Sequence, residues 1–149
     1  MERTDIVRWI SETLDGLDVT VSGDDVYWFY DPDGSTDPAR RMPFATLMTT
    51  DGQDPASNLS RPGVFRLNLG VNPTTYEALF GPRPKADWSK PFLDTGHDYT
   101  ALDTLMPHPV YCAMGWICVL NPSEATFERM KPLVKEAHAH AAGRHSGRA

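Results

Sequence analysis

Residues 110–142 read VYCAMGWICVLNPSEATFERMKPLVKEAHAHAA. The stretch decides the fold because it runs from an apolar strand straight into a capped helix. Tyr111 to Leu120 is apolar on both faces, which predicts a strand placed centrally in a sheet. Asn121 then precedes Pro122, and Glu124 follows three residues after the Asn. An Asn side chain can accept from a free backbone N–H of a first helical turn. Proline tolerates the next position, whose N–H has no helical partner, and the Glu suits the positive helix end. Asn121 is therefore the expected cap. Beyond it, Phe127, Met130, Val134, Ala137 and Ala141 form one apolar stripe at helical spacing. Pro132 falls inside this helix and is expected to kink it, because it removes one backbone bond.

Working outward, FRLNLGVNPTTYEALF (residues 65–80) repeats the arrangement. Phe65, Leu67, Leu69 and Val71 alternate with Arg66 and Asn68. One face should meet the core, and the other should meet water or a ligand. Asn72-Pro73 starts a short helix, and Gly81 stops it. Toward the N-terminus, Ile6, Ile10, Leu14 and Leu17 predict an amphipathic helix over 4–16, with Thr4 as cap. Residues 25–30 (DVYWFY) and 43–50 (PFATLMTT) read as strands around a turn at Asp31–Gly34. Residues 51–62 read as a surface loop. Residues 82–99 carry little regular pattern, and 98–106 are expected to form a short helix.

The chain has 149 residues, 40% of them hydrophobic and 23% charged, which bounds it to one globular domain. Residues 1–142 are read as that domain and 143–149 as a flexible tail. The net charge of −6 argues against duplex DNA or RNA, whose binding rests on phosphate neutralisation. It argues equally against an anionic membrane surface. Lys131, Lys135, Arg144 and Arg148 gather near the C-terminus, where cations suit a helix end. No apolar run approaches the roughly 20 residues that span a bilayer, and the start MERTDIVRWISE is unlike a signal peptide. Cys112 and Cys118 on one straight strand would lie about 20 Å apart, beyond the roughly 7 Å limit for a disulfide. Both are read as buried thiols in a reducing, cytoplasmic protein.

The chemistry on offer is sparse. His138 and His140 point about 200° apart on a helix, so they do not chelate together, and no metal or other cofactor is expected. A G-x-S-x-G elbow and a Cys–His signature are both absent. The acidic residues Asp24, Asp25, Asp31, Asp33 and Asp37 lack the spacing of a calcium loop. His108 lies between Pro107 and Pro109 at the mouth of the strand. It could act as acid or base there, or it could shape the turn by bonding to a backbone carbonyl. If a ligand cleft exists, its residues are expected to be Arg66, Asn68, His108 and Trp116, with Arg66 suited to a carboxylate or phosphate. The side chains of Arg66 and His108 would then lie outside the apolar core.

Residues 24–34 (DDVYWFYDPDG), 43–51 (PFATLMTTD), 65–81 and 106–141, with their HPVY…GW…NP block, resemble a bacterial family of uncharacterised proteins known only as a domain of unknown function. More distantly the order of elements resembles the MmcQ/YjbR proteins. That resemblance implies a double-wing, CyaY-like fold, with an antiparallel sheet and helices on one face. It brings no established activity. A suggested DNA-binding role for that fold does not suit this acidic chain, and fold does not fix function.

The chain is thus expected to form an α+β domain with an antiparallel sheet and helices packed mainly on one face. The expected function is a non-enzymatic binding or interaction module, as monomer or homodimer, whose partner is a small molecule or a protein. The alternative is a small-molecule binder or small enzyme with its cleft near His108 and Arg66. A deep pocket with converging polar groups beside His108 would favour the alternative. Nucleic-acid binding ranks third.

Overall fold

A computed structural model describes residues 1–51 and 55–146. Residues 52–54 of the expected surface loop and 147–149 of the expected tail, Arg148 among them, lie outside the described residues. In chain order the elements are α1 (Arg3–Thr13), β1 (Leu17–Ser22), β2 (Asp25–Tyr30), β3 (Ala45–Met48), β4 (Arg66–Gly70), α2 (Pro73–Phe80), β5 (Met106–Pro107), β6 (Trp116–Leu120) and α3 (Glu124–Ser146). The strands form one six-stranded sheet in the order β1-β2-β3-β4-β6-β5, and every pairing between them is antiparallel. The α+β class and the antiparallel sheet are thus as expected.

Cross-strand register sorts the sheet into two faces, since directly paired residues point the same way. Val26 pairs with Leu47, Leu47 with Leu67 and Leu67 with Val119; Trp28 pairs with Ala45, Ala45 with Leu69 and Leu69 with Ile117. These residues share one core with Ile6 and Ile10 of α1 and with Phe127, Met130, Val134 and Ala137 of α3. Each large apolar side chain so buried contributes about 1.5–3 kcal/mol. Tyr76 of α2 joins the same core. The helices therefore cover this face, and the apolar stripe of α3 meets the sheet. α3 runs on through Pro132, which stands exposed.

The other face, expected to meet water or a ligand through Arg66 and Asn68, is largely covered. A second cluster of Leu59, Tyr99, Met106, Cys118 and Leu120 packs beneath loop residues on part of it. β4 is consequently buried along its whole length. A strand flanked by β3 and β6 and covered on both sides can keep an Arg only if its nitrogens are bonded.

Several local expectations are corrected. Glu2, not Thr4, stands at the start of α1. Residues 111–114 are not strand but a 3-10 turn, closed by Gly115 at φ 93°. That left-handed conformation suits glycine, and it confines the strand to Trp116–Leu120. Cys112 therefore lies in the turn and Cys118 in β6, both buried and both free thiols. Residues 98–106 form no helix; they contribute only the bridge Leu102–Leu120 and the start of β5. Asn121 does not cap α3. It adopts φ 42°, its Oδ1 accepts from Phe65 N at 2.8 Å, and its Nδ2 donates to Gly63 O at 2.9 Å. The cap is Ser123, whose Oγ accepts from Thr126 N at 3.2 Å. Pro122 disfavours the helical region for the residue before it, and Asn tolerates the left-handed alternative. By contrast Asn72 does cap α2, accepting from Thr74 N at 2.9 Å, and Gly81 ends it.

Candidate functional site

Beside the second cluster, the same sheet face opens into a cleft of about 660 Å³. Its floor follows from register. Tyr27 pairs with Thr46, Thr46 with Asn68, Met48 with Arg66, and Gly70 with Trp116. Tyr27, Thr46, Met48, Asn68 and Arg66 therefore stand on one face as neighbours, and all line the cleft. Gly70 makes room for the indole. A Cβ built there would meet Trp116 Cε2 and Cζ2 at 2.8 Å, closer than real Cβ contacts allow. The Trp116 ring thus lies over β4 because position 70 has no side chain.

The polar groups of the floor form a chain. Asn68 Nδ2 donates to Thr46 Oγ1 at 3.0 Å, and Arg66 Nε donates to Asn68 Oδ1 at 2.8 Å. Arg66 Nη1 donates to Ser57 Oγ at 2.9 Å, reaching the loop that covers the sheet. Arg66 Nη2 then stands 3.4 Å from His108 Nε2. Thr46, Asn68, Arg66 and His108 are all buried. This network holds Arg66 in place and answers how a central strand keeps its charge.

His108 is fixed from the other side. Its Nδ1 accepts from Val110 N and from Tyr111 N, both at 3.0 Å. A nitrogen accepting two N–H groups carries no proton, so the neutral ring bears its proton on Nε2. Nε2–H and the Arg66 guanidinium are then two donors side by side. Burial first, and the Arg66 charge second, hold His108 well below the ordinary histidine range. The expected bond to a carbonyl is corrected: the ring accepts from two backbone N–H groups. It shapes its turn, and it also lines the cleft. It is set up to donate a hydrogen bond and poorly set up to take a proton.

Above the floor the rim is aromatic. Tyr111 lies 5.0 Å from His108 and 6.3 Å from Trp116 between ring centroids, and Trp88 lies 6.2 Å from Tyr111. Among the described residues no group accepts from Trp116 Nε1–H. Lys90 and Pro91 close the rim.

All four residues expected at a cleft, Arg66, Asn68, His108 and Trp116, line this one. Neither Arg66 nor His108 belongs to either apolar cluster, yet both are buried, at 4% and 3% exposure. Sequence reasoning missed Tyr27 and Thr46, although alternation in β2 and β3 places them on the Arg66 face. It also missed Trp88, on irregular backbone where no period reports direction, and Tyr111, which lies in a 3-10 turn where a strand was expected.

The acidic residues of 25–37 do not converge. Asp25 accepts from Thr49 N and Oγ1, Asp31 pairs with Arg41, and Asp33 accepts from Ser35. His138 Nε2 lies 2.8 Å from Asp15 O, and His145 packs edge-on to Tyr30. Among the described residues no group of three or more His, Cys, Asp or Glu could hold a metal ion, and no helix is long and apolar enough to cross a membrane.

No curated protein and no solved structure matches the chain. A family model does, over residues 1–149, so that the expected kinship with a domain of unknown function holds for the entire sequence. The chain belongs to DUF6194, a family of unknown function.

Proposed function

We propose that this protein binds a small molecule in the cleft on the second face of its sheet. One observation carries the reading: buried polar groups converge at His108 beneath an aromatic rim, in a cleft of about 660 Å³. Ligand pockets commonly combine apolar walls with a few fixed polar groups, and their volumes run from about 300 to 1,000 Å³. The roles follow from position. Arg66 and His108 orient a polar end of the ligand, Asn68 keeps Arg66 in register, and Trp116 supplies a flat apolar wall. The fixed tautomer of His108 favours a binding protein over an acid–base enzyme.

Fragment titration followed by proton–nitrogen NMR on the whole chain tests this. Shifts should gather at the amides of Thr46, Asn68, Val110 and Tyr111 and at the Trp116 indole. Hits that gather on the helical face instead would overturn the reading. A second reading, a homodimer or partner protein covering the rim, is favoured by the exposure of Trp88 (65%) and Tyr111 (44%). Native mass spectrometry of freshly purified protein separates a bound small molecule from a dimer. A cytoplasmic location is supported by the two buried free thiols. Distant kinship with the bacterial double-wing proteins is supported by the antiparallel sheet with helices on one face.

A further inference from the structure

We propose that β1 is an interface strand, and that two copies of this chain join edge to edge through it into one continuous antiparallel sheet. No residue of β1 lines the cleft, so this surface stands apart from the ligand reading. The two ends of the sheet differ. At one end β5 has two residues, the second of them Pro107, which cannot donate to a further strand. At the other end β1 has six residues, paired with β2 in unbroken register from Leu17–Tyr30 to Ser22–Asp25. It carries no lysine, no proline and no bulge, the features by which sheet edges ordinarily refuse a further strand.

The bonds beside the strand show which backbone groups face outward. Gly16 O accepts from Asp31 N, and Trp28 O accepts from Phe44 N. Bonding direction alternates along a strand. The even residues of β1 therefore face β2, while Leu17, Val19 and Val21 turn their N–H and C=O outward. Among the described residues nothing bonds to these outward groups. Their side chains lie on the helix-covered face. Val19 stands beside Trp28 and Val21 beside Val26, at the ends of the core rows that run on to Ile117 and Val119. Farther in those rows are buried, yet Val19 is 38% and Val21 64% exposed.

The sequence of β1 suits a second copy of itself. A two-fold axis through Val19 sets Val19 opposite Val19 of the second copy and Leu17 opposite Val21 of the second copy, with that pair repeated across the axis. Every outward N–H and C=O then finds a partner, and each pair on that face is apolar. On the other face Asp18 meets Thr20 of the second copy, so the one charged residue of the strand is not set against itself. Asp18 already pairs with Arg41, and Asp24 at the turn lies 3.7 Å from Arg3. The acids of this edge are thus offset locally although the chain carries −6. A foreign peptide supplies the backbone bonds alone; a second β1 supplies the matching side chains as well.

Sedimentation velocity on the full chain, from micromolar concentrations up to those used for NMR, should show a dimer that dissociates on dilution. Hydrogen exchange, labelled at both extremes and read by NMR, should find the Val19 and Val21 amides slow in the dimer and fast in the monomer. Thr20, bonded to β2, should stay slow in both. Val19→Pro removes an outward N–H and leaves the bonds to β2 in place. Val19→Lys sets two cations face to face across the axis. Each should weaken the dimer at least about tenfold while the melting curve stays near that of wild type. A wild type that remains monomeric throughout overturns the proposal. So does a dimer whose Val19 and Val21 amides exchange fast, or one that survives both variants, since its interface then lies elsewhere. Protection of these amides only when a different protein is added assigns the edge to a peptide partner and overturns the second copy. Should Val19→Pro not fold, Val19→Lys and the wild-type exchange decide.

Discussion

Gly70 and Trp116 face one another across β4 and β6, and the pair shows how a missing side chain shapes a site. Gly70→Ala would set a methyl 2.8 Å from the indole. The ring must shift, and a cost of about 1–3 kcal/mol is expected, the usual range for overpacking. Calorimetric melting reads the cost; an altered Trp116 indole resonance reads the shift. An unchanged resonance would show that the glycine does not set the ring. His108 offers a second measurement. His108→Ala leaves two backbone N–H groups without their acceptor, so about 1–3 kcal/mol should be lost. His108→Asn should lose less. The pH dependence has a definite sign. Folded His108 stays neutral well below the point where an unfolded histidine takes up its proton, near pH 6.5. As pH falls below about 6.5 the unfolded chain gains protons that the folded chain refuses, and stability declines. Urea titrations between pH 5 and 8 should show that decline in wild type and a smaller one in His108→Asn. Equal slopes would remove His108 as the cause.

Element boundaries depend on a few atoms at each end, as the start of α3 shows. Ser123→Ala should cost about 1 kcal/mol through the lost cap, leaving the start of β4 intact. Asn121→Ala should also destabilise, for a different reason. It forces an alanine into the left-handed region at roughly 1–2 kcal/mol and frees Phe65 N and Gly63 O. Hydrogen exchange separates the two: the Phe65 amide should lose protection in the Asn121 variant and keep it in the Ser123 variant. Much at this scale is legible in the sequence. Alternation marks the two faces of β4, and helical spacing marks the stripe of α3, because burial repeats with the period of the backbone. The start of α3 is not legible, since Asn-Pro fits both a cap and a left-handed connector and only the long-range bond to Phe65 decides. The 3-10 turn at 111–114 hides for a similar reason. Its residues are as apolar as the strand after them, and the glycine that reverses the chain looks like any other. The burial of Arg66 escapes sequence reading because its cover comes from loops, which have no period.

At the scale of the whole molecule, acidity and closure make two further expectations. With a net charge of −6 the chain should bind duplex DNA only weakly and with steep salt dependence; sub-micromolar binding at physiological salt, read by fluorescence anisotropy, would contradict it. Cys112 and Cys118 are both 0% exposed, and burial pushes the Cys112 thiol up. Both should react slowly with a thiol reagent until the protein unfolds, so rapid native modification would show that one face opens. Finally, the strand order implies a sequence of events in time. β1 to β4 pair with their neighbours along the chain, but β6 reaches β4 only after everything between Gly70 and Trp116 has been looped out. Pairings distant along the chain form slowly, because loop entropy is lost before the contacts form. A nascent chain halted before Trp116 would hold the four-strand meander while lacking both β6 and the α3 cover. Refolding should therefore show the β2–β3 hairpin amides protected early and the Trp116 indole reaching its native signal last, so that the binding cleft is the final part of the protein to come into being.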